Sequence, residues 1–274
     1  MKHYLLTRFN LTFKEWKTSK NGELVLTDKW LKNRFVLFEN YCLLSVKNQT
    51  CQNFIWCVFF DIKTPVEYRD KIESISKNYS NFKPVFIDGN ENLEQSFIEY
   101  ITNDISKDDN YVITTRLDND DLIHKDFIKT IQELYKPEDN LVIDLRKGHS
   151  ITLGEPHSEI REFTSRFNPF ISVVESVKDI KTVISKMHQD WKTSTHIIDY
   201  NKNKLWIELV HQENKLNDTK NNLKRIYKIN NEDFGLIYKE KLIDHPLSIV
   251  GIFAKSNLKA ILKLFRRIVN KLTK

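Results

Sequence analysis

Asp118, Asp120 and Asp121 fall within four positions of the segment TTRLDNDDLIHKDF, directly after an apolar run and with Arg116 as the neighbouring positive charge. Alternate residues of an extended backbone share a face, so Asp118 and Asp120 are expected to point the same way. Two hard carboxylates so placed suit one Mg²⁺ or Mn²⁺, which keeps several waters and takes further oxygens from a bound diphosphate. Such an ion would neutralise charge developing on a leaving nucleoside diphosphate. A calcium EF-hand loop is excluded, because Leu122, Ile123 and Lys129 stand at its fifth, sixth and twelfth positions. The competing expectation is a solvated acidic turn before a helix over 124–135, with Asp121 near the helix N-terminus.

Other chemistries lack their residues. Neither G-x-G-x-x-G nor G-x-x-x-x-G-K-[ST] occurs, so any phosphate would be held by something other than a glycine-rich loop. No G-x-S-x-G is present, and no cysteine has a nearby histidine to activate it. The three cysteines, Cys42, Cys51 and Cys57, are an odd number crowded into one stretch, which argues for reduced thiols over a disulfide framework.

The elements that must position the acids follow from periodicity. Apolar runs at 3–9, 54–60 (FIWCVFF), 84–87, 111–117 and 141–145 predict strands, and the continuous character of 54–60 predicts a strand buried on both faces. Helical spacing predicts helices over 28–49, 66–79, 91–105 and 124–135. This alternation predicts an α/β fold with a mostly parallel central sheet flanked by helices. Ligands of such sheets bind beyond the carboxyl ends of the strands, where Asp61, Asp88 and Asp118 stand. The segment 155–200 has no clear pattern, and the polar stretch 211–222 is expected to be a loop. One domain is expected over 1–250.

The net charge of +6 does not indicate nucleic acid. Seven Lys and Arg and no acid lie in 255–274, and the rest of the chain balances its 37 acids to within one charge. From Leu258 onward, Ile261, Leu262, Phe265, Ile268, Val269 and Leu272 recur at helical spacing opposite Lys259, Lys263, Arg266, Arg267 and Lys271. The expectation is a basic amphipathic helix over 251–274, suited to an anionic membrane surface. No secretory leader or run of ~20 apolar residues occurs, so the expected location is cytoplasmic, peripheral on the inner face of the plasma membrane.

LDNDDLIHKDF resembles the acidic segment of glycosyltransferases of the GT-A fold, in their large inverting family. TRFNL at 7–11, FENYCLLSVKNQT at 38–50, NFIWCVFFD at 53–61, YVITTRLDNDD at 111–121 and LWIELVHQEN at 205–214 extend the likeness to the rhamnosyltransferase group of bacterial polysaccharide biosynthesis. It spans roughly residues 3–216. The resemblance implies a GT-A (nucleotide-diphospho-sugar transferase) domain that takes a sugar, rhamnose favoured, from a dTDP- or UDP-sugar with Mg²⁺ or Mn²⁺. The acceptor it implies is a surface glycan or lipid-linked glycan, and the transfer is inverting.

By the same resemblance Thr7, Arg8 and Asn10 would line the nucleotide pocket, although TRFN replaces the small-residue and proline turn usual there. Asp61 would accept from the ring N–H of uracil or thymine. Asp118 would contact ribose or metal, Asp120 would be the principal metal ligand, and Arg116 would pair with phosphate or orient the acids. His211 would complete the metal or diphosphate site, with Asn214 a secondary contact. Inverting transfer needs a base for the acceptor hydroxyl. Asp190 in MHQDW is favoured, with Glu162, Glu175 and His188 as alternatives. A metal-dependent nucleotidyltransferase or phosphotransferase could use the same carboxylates, and a non-catalytic, membrane-recruited nucleotide-sugar-binding module would bind without turnover.

Overall fold

In a computed structural model, residues 1–13, 18, 26–154, 158–211, 214 and 220–236 are described. The amphipathic helix expected over 251–274 and most of the polar loop expected over 211–222 lie outside them. Among the described residues no helix is long and apolar enough to cross a membrane.

Four strands, β1 (Lys2–Arg8), β2 (Ile55–Asp61), β3 (Phe82–Ile87) and β4 (Tyr111–Arg116), form a parallel half-sheet in the order β3-β2-β1-β4. β2 is buried along nearly its whole length because layers cover both faces. On one face Phe9, Phe35, Phe38, Trp56, Phe60 and Phe82 form an aromatic cluster, and on the other Phe59 and Tyr4 meet Phe97 edge-on. Each such side chain contributes about 1.5–3 kcal/mol through burial.

The first cover is a continuous helical rod: α1 (Asp28–Leu37), a π-helical segment (Phe38–Cys42) and α2 (Leu43–Lys47). Thr27 caps it, its hydroxyl accepting from Trp30 N at 3.2 Å. Buried positions recur every four residues, at Trp30, Arg34, Phe38, Cys42 and Val46. That interval drifts about 40° per step around a 3.6-residue helix, and the wider π turn takes up the drift. Helices α3 (Val66–Asn78) and α4 (Leu93–Asp104) complete the crossovers between β2, β3 and β4.

Beyond β4 the sheet turns antiparallel. β8 (Ser172–Ser176) pairs with β4, then β6 (Leu141–Thr152), β7 (Glu159–Thr164) and β10 (Arg225–Ile226) follow. β9 (Ile197–Val210) runs parallel to β6 and also pairs with β5 (Leu122–Ile123). The sheet is therefore mixed, its parallel character confined to β1–β4 and β6–β9. The unpatterned stretch 155–200 supplies β7, β8 and the start of β9, whose first residues face solvent and so show no apolar alternation. Helix α5 spans only Phe127–Leu134, because the chain stays extended past β5, with His124 N donating to the Leu205 carbonyl at 2.9 Å and Lys125 N to the Asp233 carbonyl at 2.6 Å. Asp121 thus caps no helix; its Oδ1 accepts from Leu209 N of β9 at 2.8 Å.

Candidate active site

The chain adds β2 and β3 on one side of β1 and β4 on the other. The carboxyl ends of β1 and β4 lie side by side, and open α/β sheets bind ligands beyond such ends. A cleft of about 520 Å³ lies at that point, within the range of small-molecule sites. Arg8, Arg34, Arg116 and Lys186 line it together with Glu91, Glu94, Asp118, Asp120, Asn214 and His188, and Phe9, Phe13 and Trp30 add aromatic surface.

The acidic segment closes the floor. Arg116 grips both oxygens of Asp118, its Nη2 lying 3.0 Å from each, and the Asp118 side chain is one-third exposed. Asp120 is buried, and its Oδ2 meets Arg34 Nη1 at 2.8 Å, His211 Nε2 at 2.8 Å and Asn214 Nδ2 at 3.2 Å. Burial alone would raise the Asp120 pKa; the Arg34 charge and the His211 hydrogen bond more than offset it and hold the group well below the usual carboxylate range. Burial, then the charges of Asp120, Asp118 and Glu208, push the neighbouring Asp121 well above that range. Asn119 ties the floor together: its amide donates to the carbonyls of Arg8 and Phe9, and its oxygen accepts from Arg34 at 3.0 Å.

Of the residues expected at a nucleotide pocket, Arg8, Arg116, Asp118, Asp120 and Asn214 reach the cleft, with His211 directly behind Asp120. Thr7 does not: it faces the core, where its hydroxyl accepts from Trp56 Nε1 at 2.9 Å. Asn10 and Asp61 do not line the cleft either. Asp61 accepts from the backbone N–H and hydroxyl of Thr12 and from Lys63 N, while Asn10 bonds Thr64 Oγ1 and Asp61 N. Together they staple the loop after β1 to the end of β2, leaving the Asp61 oxygens committed to the protein itself.

The base candidates separate sharply. Asp190 is exposed and stands outside the cleft lining, on a short 3₁₀ turn. Glu162 is paired with Lys204 and Lys224 on β7. Glu175 is buried and accepts from the amides of Lys181 and Thr182, holding Thr182 at a left-handed φ of 70°. It thereby fixes the turn that carries Ile184, Lys186, Met187 and His188 into the cleft wall. His188 alone of the four lines the cleft. Its Nδ1 bonds the Phe167 carbonyl; a carbonyl only accepts, so Nδ1 carries the proton and Nε2 keeps its lone pair. Burial, with the Arg116 charge, lowers its pKa below 6.5 and so favours the neutral ring.

Glu175 makes a stability prediction. Burial raises its pKa from 4.5 to about 7 against the lowering effect of the two amides. A raised folded-state value contributes stability that is complete below pH 4.5 and is lost as pH rises through 7. Relative to Glu175→Gln, the wild type should therefore lose about 3 kcal/mol between pH 4 and pH 8. Urea-unfolding midpoints measured across that range check it, and parallel profiles would contradict it.

Trp30 and Arg34 were legible in the sequence only as positions of a first helix. The available signal was a charged residue at 34 within a stripe otherwise made of Trp30, Leu31, Phe35 and Phe38. In the structure this arginine changes the prospects for the divalent ion expected on Asp118, Asp120 and His211. Both carboxylates are already matched by guanidinium groups. A divalent ion on Asp120 would have to share that carboxylate with the Arg34 charge, which opposes its binding. Among the described residues no group of three or more His, Cys, Asp or Glu is arranged to hold a metal. Among the described residues Trp30 Nε1 and Arg34 Nε, on side chains that line the cleft, are buried hydrogen donors without a partner, and such atoms require an acceptor and not a cation. The residues as they stand do not fit Mg²⁺ or Mn²⁺.

No curated protein matches the chain in sequence. Among solved structures it is similar to TarS 1-349 of S. aureus, at 13% identity and a TM-score of 0.44, over 76% of this chain and 60% of that one. A structure of the same TarS segment in complex with UDP-GlcNAc gives 13% identity, a TM-score of 0.44 and coverages of 76% and 58%. A nucleoside-diphosphate-sugar pyrophosphorylase from Vibrio cholerae RC9 gives 10% identity and a TM-score of 0.30, over 76% of this chain and 91% of that one. The chain thus spans less than two thirds of the TarS chains it matches. The family model described as Putative rhamnosyl transferase matches residues 2–223. That match takes in β1 through β9 and every cleft-lining residue named above, and the chain belongs to this family.

Proposed function

We propose that the protein transfers a sugar from a nucleoside diphosphate to an acceptor hydroxyl, with the donor's diphosphate seated among Arg8, Arg34 and Arg116. The observation that carries this reading is the guanidinium-lined cleft beyond the carboxyl ends of β1 and β4, in a chain of a sugar-transferase family. The acceptor oxygen attacks the anomeric carbon, the bond from that carbon to the β-phosphate oxygen breaks, and its electron pair leaves on the diphosphate. The acceptor proton passes to Nε2 of neutral His188, in place of the surface carboxylate of Asp190. A single displacement of this kind inverts the anomeric centre. Arg116 and Asp118, which neighbour His188 in charge, orient the approach.

Rhamnose is the favoured sugar from the family's description, with dTDP as its favoured carrier and UDP-sugars next. UDP-GlcNAc is the sugar nucleotide bound by the S. aureus TarS segment. The basic amphipathic segment 251–274 would hold the enzyme on an anionic inner-membrane surface, beside a lipid-linked glycan acceptor.

The test is release of nucleoside diphosphate from dTDP-rhamnose and a panel of UDP-sugars, with lipid-linked and free glycans as acceptors. Acceptor-dependent release is the expected result. Consumption of nucleoside triphosphate instead would establish a nucleotidyltransferase, and binding without release from any donor would leave a non-catalytic module.

A further inference from the structure

Two buried hydrogen-bond donors on α1 have no acceptor among the described residues. Trp30 Nε1 and Arg34 Nε lack a hydrogen-bond partner, although each residue is only 5% exposed. They stand four positions apart, on one face of the helix, with the Arg34 guanidinium 5.0 Å from the centre of the Trp30 ring. Both line the cleft. Buried N–H groups in native proteins nearly always have partners, so two unpaired donors on residues that line one cleft point to an acceptor that arrives with the ligand.

The chemistry of that acceptor follows from the surroundings. Arg34 uses Nη1 on Asp120 and Asn119, which fixes the guanidinium plane and leaves Nε–H turned elsewhere. Arg8, Arg116 and Lys186 line the same cleft as further cationic donors, and with Arg34 they balance the charges of Glu91, Glu94, Asp118 and Asp120. Adjacent N–H donors beside guanidinium groups suit the oxygens of a phosphate or diphosphate.

We propose that Trp30 and Arg34 form the subsite for the donor's diphosphate, and that this subsite works without a divalent cation because Arg34 already neutralises Asp120. The inference rests on the nucleotide-sugar reading above. As the bond between anomeric carbon and β-phosphate oxygen breaks, the electron pair moves onto the diphosphate. There the Trp30 and Arg34 N–H groups donate to oxygens whose charge is rising.

The experiment is titration calorimetry of UDP, dTDP, uridine and thymidine, in EDTA and in Mn²⁺, on the wild type, Trp30→Phe and Arg34→Lys. Trp30→Phe keeps an aromatic ring and removes an unpaired donor, so its melting temperature should not fall. The wild type is expected to bind UDP or dTDP equally in both buffers. Trp30→Phe and Arg34→Lys should each bind that nucleotide about tenfold or more weakly, since a hydrogen bond to a charged group is lost. Affinity for the matching nucleoside should not change in Trp30→Phe. Wild-type diphosphate affinity in Trp30→Phe would overturn the subsite, and binding that appears only with Mn²⁺ would overturn its independence of metal. Failure of the wild type to bind either diphosphate in any buffer would remove the donor reading itself, and this subsite with it.

Discussion

Replacing Arg34 with methionine is expected to destabilise the protein by about 3–5 kcal/mol at neutral pH, the cost of leaving one member of a buried ion pair unmatched. For a chain of this size that lowers the melting temperature by about 10 °C. Methionine fills much of the arginine stem's volume, so the loss reports Asp120: its carboxylate is buried and Arg34 is its only charged guanidinium neighbour within ion-pair distance among the described residues. The pH dependence separates this from a packing defect. In the wild type the Asp120 pKa is depressed, so its contribution is present above the unfolded value of 3.8 and is lost as pH falls through the folded value. In the variant, burial acts without the offsetting charge and raises the pKa, so protonation relieves the penalty as pH drops. The gap between the two proteins should be widest near pH 7 and should narrow below about pH 4. Calorimetric melting from pH 7 to pH 3.5 checks this. A gap under about 1 kcal/mol at pH 7, or one that ignores pH, would contradict the role given to the pair.

The second large effect is on turnover. His188→Asn should lower kcat by about 10²- to 10⁴-fold, the usual contribution of a positioned general base, while nucleotide affinity is kept. Because His188 must be unprotonated to act, and burial lowers its pKa below 6.5, the wild-type rate should fall with acid along a limb below pH 6.5. The variant should lack that limb. Asp190→Asn, a change at an exposed position, should alter the transition-state free energy by no more than about 0.5 kcal/mol. Paired kcat and KM profiles against pH distinguish the two residues, and a large loss in Asp190→Asn with little in His188→Asn would reverse the assignment.

The parallel half of the sheet was readable because β1, β2 and β4 are buried along most of their length, so FIWCVFF announces itself without any pattern of alternation. The acidic floor was readable from the density of Asp118, Asp120 and Asp121. What each acid does was not. Local spacing pairs Asp118 with Asp120, whereas the fold pairs Asp118 with Arg116, Asp120 with an arginine 86 positions earlier in the chain, and Asp121 with a backbone amide of β9. Thr7 and Asp61 sit where the resemblance places a nucleotide, and only the Trp56 ring and the loop at Thr12 reveal that their polar atoms are already used. The stretch around His188 carries no periodic signal at all. Its position in the cleft wall depends on Glu175 and on Thr114 Oγ1, which accepts from Val183 N at 2.8 Å. The antiparallel half escaped because β9 begins as an exposed polar ribbon and becomes apolar only at Leu205.

A crystal structure with dTDP or UDP, grown in the presence of Mn²⁺, tests the central claim most directly. The account predicts the diphosphate between Arg8, Arg116 and the α1 face, with oxygens in hydrogen-bonding reach of Trp30 Nε1 and Arg34 Nε and with the Arg34–Asp120 pair intact. Nucleotide bound outside this cleft, or a Mn²⁺ ion on Asp120 with Arg34 displaced, would contradict it.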